Sequence, residues 1–442
     1  MLGVAVLLLL LLLLVGCGQA PRIASHSAAG DWVAAWGSAQ LEQYPPATGA
    51  SAPAATRPVP AVWRQPIGDV TLRQVVRVSA EGSALRVRVS NLFGREPLQV
   101  GAASVALVQA GPNVGEPVLV VGSLRKLNFG GRRELSIAAG AEVWSDPLEL
   151  SVPRLADLAV QLHIVSEPAV ATVHPGSRIS SWAVAGQQVD VAQWTGAVAR
   201  DGWWHLAAVD VMAYPPQPQP QPQAVLVAIG DSITDGYGVP SGSNQRWTDH
   251  LARRLADAGR TAAVVNTGIG GGRLLRDGLG PALVARFDRD VLDRTGVTHA
   301  AVLIGVNDLG VSHRERATTP ESRAALLAEM KSALSALAQR AHERGVCLIA
   351  ATVMPYGGSG YYKPQPENER DRVALNDWIR QSAAFDAVLD FDALARDPAR
   401  PTHLRAELDN DGLHPSMAGY RAMADAFALE LLDRRCARIA RA

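Results

Sequence analysis

The stretch Ala224-Val225-Leu226-Val227-Ala228-Ile229-Gly230-Asp231-Ser232-Ile233-Thr234-Asp235 decides how this chain folds. Six apolar residues run uninterrupted and stop at a glycine, an acid and a serine. So short a run, bounded by turn residues, reads as a strand buried on both faces. Beyond it, strand and helix patterns alternate. A helical pattern runs from Trp247 to Ala258 and stops at Gly259, and a second strand ends at Val265. A third strand spans Ala300 to Ile304, and the next helix begins at Pro320, with Thr319 as N-cap and Gly345 just past its end. Val346 to Val353 is a fourth strand, Asp371 to Phe385 a helix, Ala387 to Phe391 a fifth strand and Met417 to Arg438 the closing helix. Five strands alternating with helices predict a parallel sheet covered on both faces, whose ligand lies beyond the carboxyl ends of the strands.

Upstream the grammar differs. The segment 215–223 alternates proline and glutamine after Pro215-Pro216, which removes backbone donors and fixes φ, so it reads as a stiff spacer between two units. Before it, residues 31–214 carry short alternating runs. Leu85, Val87 and Val89 are apolar with polar residues between them, and Leu158, Val160, Leu162 and Ile164 repeat the pattern. Thr71 to Ser79, joined to the Leu85 run through Ala80-Glu81-Gly82, reads as a hairpin partner, and Val118 to Val121 and Leu148 to Val152 are further strand candidates. This predicts an all-β sandwich. Its tryptophans, Trp32, Trp36, Trp63, Trp182, Trp203 and Trp204, suit a β core better than a carbohydrate-binding face.

The chain of 442 residues balances 42 Lys+Arg against 42 Asp+Glu, which argues against a nucleic-acid partner. Three cysteines rule out a disulfide-built scaffold and a multi-cysteine zinc module. Met1 to Val15 has no charged side chain and too short an apolar run to span a bilayer, so it reads as the core of a signal peptide. The adjoining Leu14-Val15-Gly16-Cys17 resembles a lipoprotein lipobox. Residues 1–17 are therefore expected to be an export signal ending at a lipidated Cys17, and residues 18–30 a tether. This implies export and a lipid anchor in a bacterial outer membrane, with plain secretion as the alternative. Of the other cysteines, Cys347 reads as a buried thiol packed as a small hydrophobe, although an exported protein can also join it to Cys436.

The chemistry-bearing residues gather at the predicted carboxyl ends. Ser232 follows the first strand in Gly230-Asp231-Ser232, a triplet that by itself also suits a helix N-cap. The second strand ends in Asn266-Thr267-Gly268-Ile269-Gly270-Gly271-Gly272, which lacks the Lys-Ser/Thr of a P-loop and the spacing of a dinucleotide fingerprint. The third ends in Gly305-Val306-Asn307-Asp308. Before the last helix, Asp411 precedes His414 by three residues, a spacing that lets the carboxylate reach one imidazole nitrogen and leaves the other for a serine. Asp411 as a helix cap beside a surface histidine is the plainer alternative. No metal or organic cofactor is implied, because the His and Asp residues lack the spacing of a zinc or di-iron site.

Taken in order, these four blocks resemble the GDSL, or SGNH, hydrolase family, and the resemblance covers the chain from Ala224 onward. It implies a flavodoxin-like three-layer αβα domain over residues 224–442 and a carboxylic ester hydrolase. It also implies Ser232 as nucleophile, His414 as general base and Asp411 as its orienter, with an oxyanion hole from the N–H groups of Ser232 and Gly271 and the Asn307 side chain. Arg246-Trp247, Gly271-Gly272-Arg273-Leu274-Leu275 and the segment Arg286 to Leu292 are similar to an arylesterase and acetyl-xylan-esterase-like branch, whose members carry a β-rich N-terminal domain. Ser90-Asn91-Leu92-Phe93-Gly94 is similar to part of that domain.

The expected activity is hydrolysis of short acyl esters, acetyl above all, on a small molecule or polysaccharide. An O-acyltransferase using the same triad and a glycan-binding lipoprotein with a vestigial hydrolase domain are the competing readings. Arg273, two residues past the oxyanion glycine, is a candidate for binding a substrate oxygen. Tyr361 and Tyr362, after Gly357-Gly358-Ser359-Gly360, are candidates for an aromatic wall beside a sugar or aryl group.

Overall fold

The computed structural model describes residues 32–43, 66–111, 115–213, 224–315 and 319–436. In it the apolar run becomes the strand Ala224–Gly230, with every residue buried. Ala262–Gly268 pairs with it on one side and His299–Leu303 on the other, both parallel, and Cys347–Ala351 and Ala387–Leu389 complete a five-stranded sheet. The spatial order is second, first, third, fourth, fifth in the chain, the flavodoxin-like arrangement. Connections diverge where the order reverses, beside the first strand, and leave a crevice at its carboxyl end. Ser232 lies there.

Helices cover the sheet in two groups. Trp247–Asp257 packs on Ala262–Gly268 and against Met417–Asp425, while Pro320–Glu343 packs on Cys347–Ala351 and against Pro366–Gln381. Thr319 caps Pro320–Glu343 by accepting the Ser322 N–H. Three helix boundaries differ from the sequence reading, among them the end of the helix expected to reach Phe385, which stops at Gln381. Pro366–Gln381 begins five residues earlier than expected, because Pro366 occupies the first turn, where no N–H is needed, and Gln365 and Asn368 form a capping box. Met417–Asp425 ends well before Arg438: Arg254 takes the Phe427 carbonyl at 3.0 Å, and a 3-10 turn, Leu429–Asp433, comes next.

Cys436 forms a disulfide with Cys347, their Cα atoms 5.2 Å apart, so the reading of Cys347 as a packed free thiol is corrected. Its apolar surroundings had suggested a thiol, since nothing local to Val346–Val353 announces a partner 89 residues away.

Among the described residues before Ala224 there is no helix, and the strands form three antiparallel sheets. The hairpin expected around Ala80-Glu81-Gly82 is not one. Gly68–Arg77 pairs with Asp157–Ser166 and Ser180–Ala185 in one sheet, while Gly82–Ser90 pairs with Leu206–Met212 and Leu148–Val152 in another. A short turn between two apolar runs looks the same in sequence whether it closes a hairpin or crosses from sheet to sheet. Val118–Val121 yields only an isolated bridge from Leu119 to Val108. Trp36, Trp203 and Trp204 are buried, with Trp36 and Trp203 meeting edge to face at 4.9 Å, while Trp32 and Trp182 are half-buried. Trp63 and the Pro-Gln spacer lie outside the described residues.

Asp31–Ala442 make up one compact unit, in which the β-rich region packs directly on the parallel sheet. The strand Trp32–Gly37 runs against Ala262–Gly268. Ala34 N–H donates to the Thr295 carbonyl at 2.9 Å, and Val264 N–H to Ser79 Oγ at 2.9 Å. The buried Arg294 reaches the carbonyls of Ala207 and Ser38 at 3.1 and 2.9 Å. Each bond satisfies a backbone group that water would otherwise have to reach.

Candidate active site

Asp231 intervenes between the first strand and a helix of one turn, Ser232–Asp235. It caps that helix through Oδ1, which accepts the Ile233 N–H at 2.9 Å. Burial pushes the Asp231 carboxyl up to about 7, with the Ile233 N–H working against the shift and Asp308 and Asp235 adding to it. Gly236, at φ 93, ends the turn in the left-handed region. As the first helical residue Ser232 has no intrahelical acceptor for its N–H, which donates to no described residue.

Ser232 Oγ lies 2.8 Å from His414 Nε2. On the other side of the ring, Nδ1 is 2.9 and 3.1 Å from the two oxygens of Asp411. Asp411 Oδ1 also accepts the N–H groups of Leu413 and His414, at 3.1 and 2.8 Å, so the three-residue spacing closes into a tight turn. Gly412 stands at φ 80, and a Cβ there would come within 2.2 Å of the Gly358 carbonyl oxygen, so the position accepts only glycine. A ring nitrogen facing a carboxylate carries the proton, which leaves Nε2 as the acceptor for the serine hydroxyl. Burial lowers the His414 pKa; Asp411 opposes that, and the Arg178 cation reinforces it. For Asp411, burial alone would raise the pKa, but the hydrogen bonds from His414 outweigh it and hold the carboxyl below its usual range.

Gly271 adopts φ 69, and a Cβ there would meet Leu279 Cδ1 at 2.7 Å. Its N–H donates to no described residue, whereas that of Gly272 is taken by the Ile269 carbonyl at 2.9 Å. The loop is pinned by Asp308, whose carboxylate accepts the N–H groups of Leu274 and Leu275 at 2.8 and 3.1 Å. Next to it, Asn307 Nδ2 donates to the Gly272 carbonyl at 2.6 Å, and the Tyr362 hydroxyl donates to Asn307 Oδ1. These two bonds settle which end of the amide is nitrogen. The second hydrogen on Nδ2 is left for another acceptor.

The structure thus brings together Ser232, His414, Asp411, Gly271 and Asn307, which the chain separates by up to 182 residues between serine and histidine. It treats the three other candidates differently. Tyr361 is 69% exposed and meets the Tyr362 ring edge to face at 4.8 Å, while Tyr362 is only 4% exposed and donates its hydroxyl to Asn307. Arg273 is engaged by Glu315 through two bonds of 2.7 and 2.8 Å. Cys17, the lipobox and the tether lie outside the described residues.

Four residues that support the site received no role in the sequence reading, although Arg286 and Asp308 stand in segments quoted there. The buried Arg286 donates to the carbonyls of Gly230 and Thr267, at 2.9 and 2.7 Å, and to Asp290 at 2.9 Å, clamping the carboxyl ends of the first two strands. Its signal is the i,i+4 spacing of Arg286 and Asp290 in the charged run Arg286-Phe287-Asp288-Arg289-Asp290. Asp308, beside Asn307, offered none apart from its neighbour. Tyr237 stacks on His414 with ring centroids 4.1 Å apart, and Arg178, from the β-rich region, lies 5.5 Å from the Tyr237 ring. No local pattern announces either.

Among solved structures, the chain is similar to the acetylxylan esterase Axe2 from Geobacillus stearothermophilus, at 24% identity over 49% of this chain and 96% of that one, with a TM-score of 0.36. It is also similar to LAE5, an alpha/beta hydrolase enzyme from the metagenome of Lake Arreo, at 23% identity over 47% and 94%, with a TM-score of 0.35. A GDSL-like lipase from Bacteroides thetaiotaomicron matches at 16% identity over 46% and 84%, with a TM-score of 0.34. Among curated proteins none is a significant match. Residues 228–422 match the GDSL-like lipase/acylhydrolase family, and this span holds the serine, the glycine loop, the asparagine and the Asp-His turn just described. The C-terminal half of the chain therefore contains a GDSL-like lipase/acylhydrolase domain, and its reaction class is carboxylic ester hydrolysis.

Proposed function

We propose that the protein is an exported serine esterase that removes short acyl groups, acetyl above all, from a carbohydrate through a Ser232-His414-Asp411 triad and an acyl-enzyme. The observation that carries this reading is the continuous relay from Asp411 through the His414 ring to Ser232 Oγ, at 2.9 and 2.8 Å. A serine hydroxyl is a weak nucleophile at neutral pH, so attack on the ester carbonyl needs His414 Nε2 to take its proton as the C–O bond forms. The resulting imidazolium is stabilised by Asp411 and then protonates the departing alcohol. Water, deprotonated by the same nitrogen, attacks the acyl-enzyme and releases the acid.

The tetrahedral oxygen that forms in each step needs donors already in place. The Ser232 and Gly271 N–H groups and the second Asn307 Nδ2 hydrogen meet that need, because nothing described occupies them. Three fixed donors in a buried crevice are worth more than in water, since they need not reorganise as charge develops. The acetyl-carbohydrate preference rests on the sequence resemblance of Arg246-Trp247 and the segment from Gly271 to Leu275. Export is supported by the apolar run before Cys17 and by the Cys347–Cys436 disulfide, a bond that persists in oxidising compartments.

The test is a panel of p-nitrophenyl esters of increasing acyl length together with acetylated xylo-oligosaccharides, run on the protein and on Ser232→Ala. Turnover that falls with acyl length, acetate release from the oligosaccharides and loss of both in the folded variant are expected. Full activity in Ser232→Ala would remove the nucleophile assignment, and turnover that rises with chain length would remove the acetyl preference.

A further inference from the structure

The turn from His174 to Arg178 in the β-rich region is built onto the segment just after Ser232. Its Gly176 comes so near Asp235 that a Cβ would meet Oδ2 at 2.1 Å. His174 Nε2 is 3.0 Å from Asp235 Oδ1 while its Nδ1 faces the Ala39 carbonyl at 2.7 Å, and Arg246 donates to the Ser177 carbonyl. At the end of this turn Arg178 holds φ 51, a conformation a side-chain-bearing residue adopts only when its surroundings enforce it. The Arg178 carbonyl accepts the Gly242 N–H at 2.8 Å, and its Nη2 donates to Asp235 Oδ2 at 3.2 Å. Its Nε is buried with no acceptor among the described residues.

These contacts aim the guanidinium at Tyr237, whose ring centroid is 5.5 Å from Cζ. Tyr237 is itself fixed at both backbone ends: its N–H donates to the Ser232 carbonyl at 2.8 Å, and its carbonyl accepts the Tyr420 hydroxyl at 2.7 Å. Its ring then stacks on His414 at 4.1 Å and 28°. One column therefore runs from a strained turn in the β-rich region to the imidazole of the relay.

We propose that Arg178 is a positioning residue of the hydrolase site: through Asp235 and Tyr237 it holds the surface on which the His414 ring rests, and it places a fixed positive charge beside that ring. The proposal builds on the triad reading. It gives the β-rich region a part in the chemistry, since the residue lies 54 positions before Ser232 and beyond the Pro-Gln spacer. The groups facing the imidazole are Asp411 on its own loop, Ser232 and Tyr237 on the first strand-helix segment, and Arg178 across the interface. Asp411 favours the imidazolium, and Arg178, the cation of the set, disfavours it, in keeping with the lowered His414 pKa. The protonated form is the one that cannot accept the serine proton, so the Arg178 charge extends the range over which the base is ready toward lower pH.

The experiment is the pH dependence of kcat/KM for p-nitrophenyl acetate in the full-length protein, Arg178→Met, Arg178→Gln and Arg178→Lys, each checked for an unchanged circular-dichroism spectrum. Removing the cation raises the His414 pKa, so in Arg178→Met and Arg178→Gln the acid limb moves to higher pH by on the order of half a unit, the size expected for one charge lying beyond the stacked Tyr237 ring across partly wet surroundings. Arg178→Lys, which keeps the charge, brings the limb back toward that of the unaltered protein. An acid limb that stays put in both neutral variants overturns the proposal, as does a lysine variant that behaves like the neutral ones. A fluorophosphonate probe separates the two levels of failure: labelling of Ser232 with an unmoved limb rejects Arg178 alone, whereas no labelling of the unaltered protein rejects the triad.

Discussion

Replacing Tyr362 by phenylalanine removes one oxygen and tests whether the Asn307 amide works as an oxyanion donor. In the folded protein the amide has two anchors, the bond from Nδ2 to the Gly272 carbonyl at 2.6 Å and the bond that Oδ1 accepts from Tyr362. The variant keeps the first and loses the second. The phenyl ring still fills the space beside Gly310, where a Cβ would lie 2.6 Å from the Tyr362 ring, so packing changes little. The cost to the reaction has a ceiling. Loss of one oxyanion donor altogether removes about 3 kcal/mol of barrier lowering, a hundredfold or more in rate. A donor that is retained but less well aimed should lose part of this, and about tenfold in kcat is the expected fall. KM should change by less than about twofold, because the ground-state carbonyl gains little from a donor aimed at the tetrahedral oxygen. The assay is steady-state turnover of p-nitrophenyl acetate in the unaltered protein, Tyr362→Phe, Asn307→Ala and the double variant. If Tyr362 acts through Asn307, its effect shrinks to near nothing in the Asn307→Ala background. Equal effects of Tyr362→Phe in both backgrounds, or a change confined to KM, would refute the reasoning.

Two further substitutions probe the base and the fold. Asp411→Asn keeps an acceptor for the Leu413 and His414 N–H groups but no longer demands a proton on Nδ1, so a folded protein with kcat lower by about three to four orders of magnitude is expected, as for the corresponding change in serine proteases. Turnover within a few-fold of the unaltered protein would move the orienting role elsewhere. Cys436→Ser opens a loop spanning 89 residues, for which chain-entropy reasoning gives a loss of up to about 4.6 kcal/mol; a lower thermal midpoint with p-nitrophenyl acetate turnover retained at 25 °C is expected, and an unchanged midpoint would show that the bridge does not stabilise the fold.

The residues that could be read from sequence share one property: each announces itself within its own segment. The run Ala224–Gly230 needs only its length and its apolar composition to be a buried strand, and Ser232 stands out after it once the other three blocks are read with it. Asp411 and His414 offer a spacing that the turn through Gly412 realises, and their roles come from the resemblance of the four blocks together. Asn307 was legible from its place after the third strand, but Tyr362, which sets its orientation, was not. Its loop is glycine-rich and aromatic, and nothing in such a loop says whether a ring faces solvent or reaches 55 residues back along the chain. The pairing of Arg273 was hidden for a related reason, since its bidentate partner Glu315 lies 42 residues away at the end of a helix.

The turn around Ala80 shows the same limit on the scale of a sheet. Apolar alternation specifies that Gly68–Arg77 and Gly82–Ser90 are strands, because the period belongs to each strand separately. Which strand each of them pairs with is decided by residues far along the chain, such as Asp157 opposite Arg77 and Leu206 opposite Val89. Arg178 combines both difficulties, for its partner segment is fixed by the docking of a β-rich region onto a parallel sheet and its backbone is held where local preference would not put it. A long-range contact that overrides a local preference costs stability, and such a contact persists when the surrounding structure over-determines it. The close approach of Gly176 and the burial of His174 against Asp235 are two such determinations on the turn that holds Arg178 at its strained φ, and together they bring a cation to the Tyr237 ring that stacks on His414.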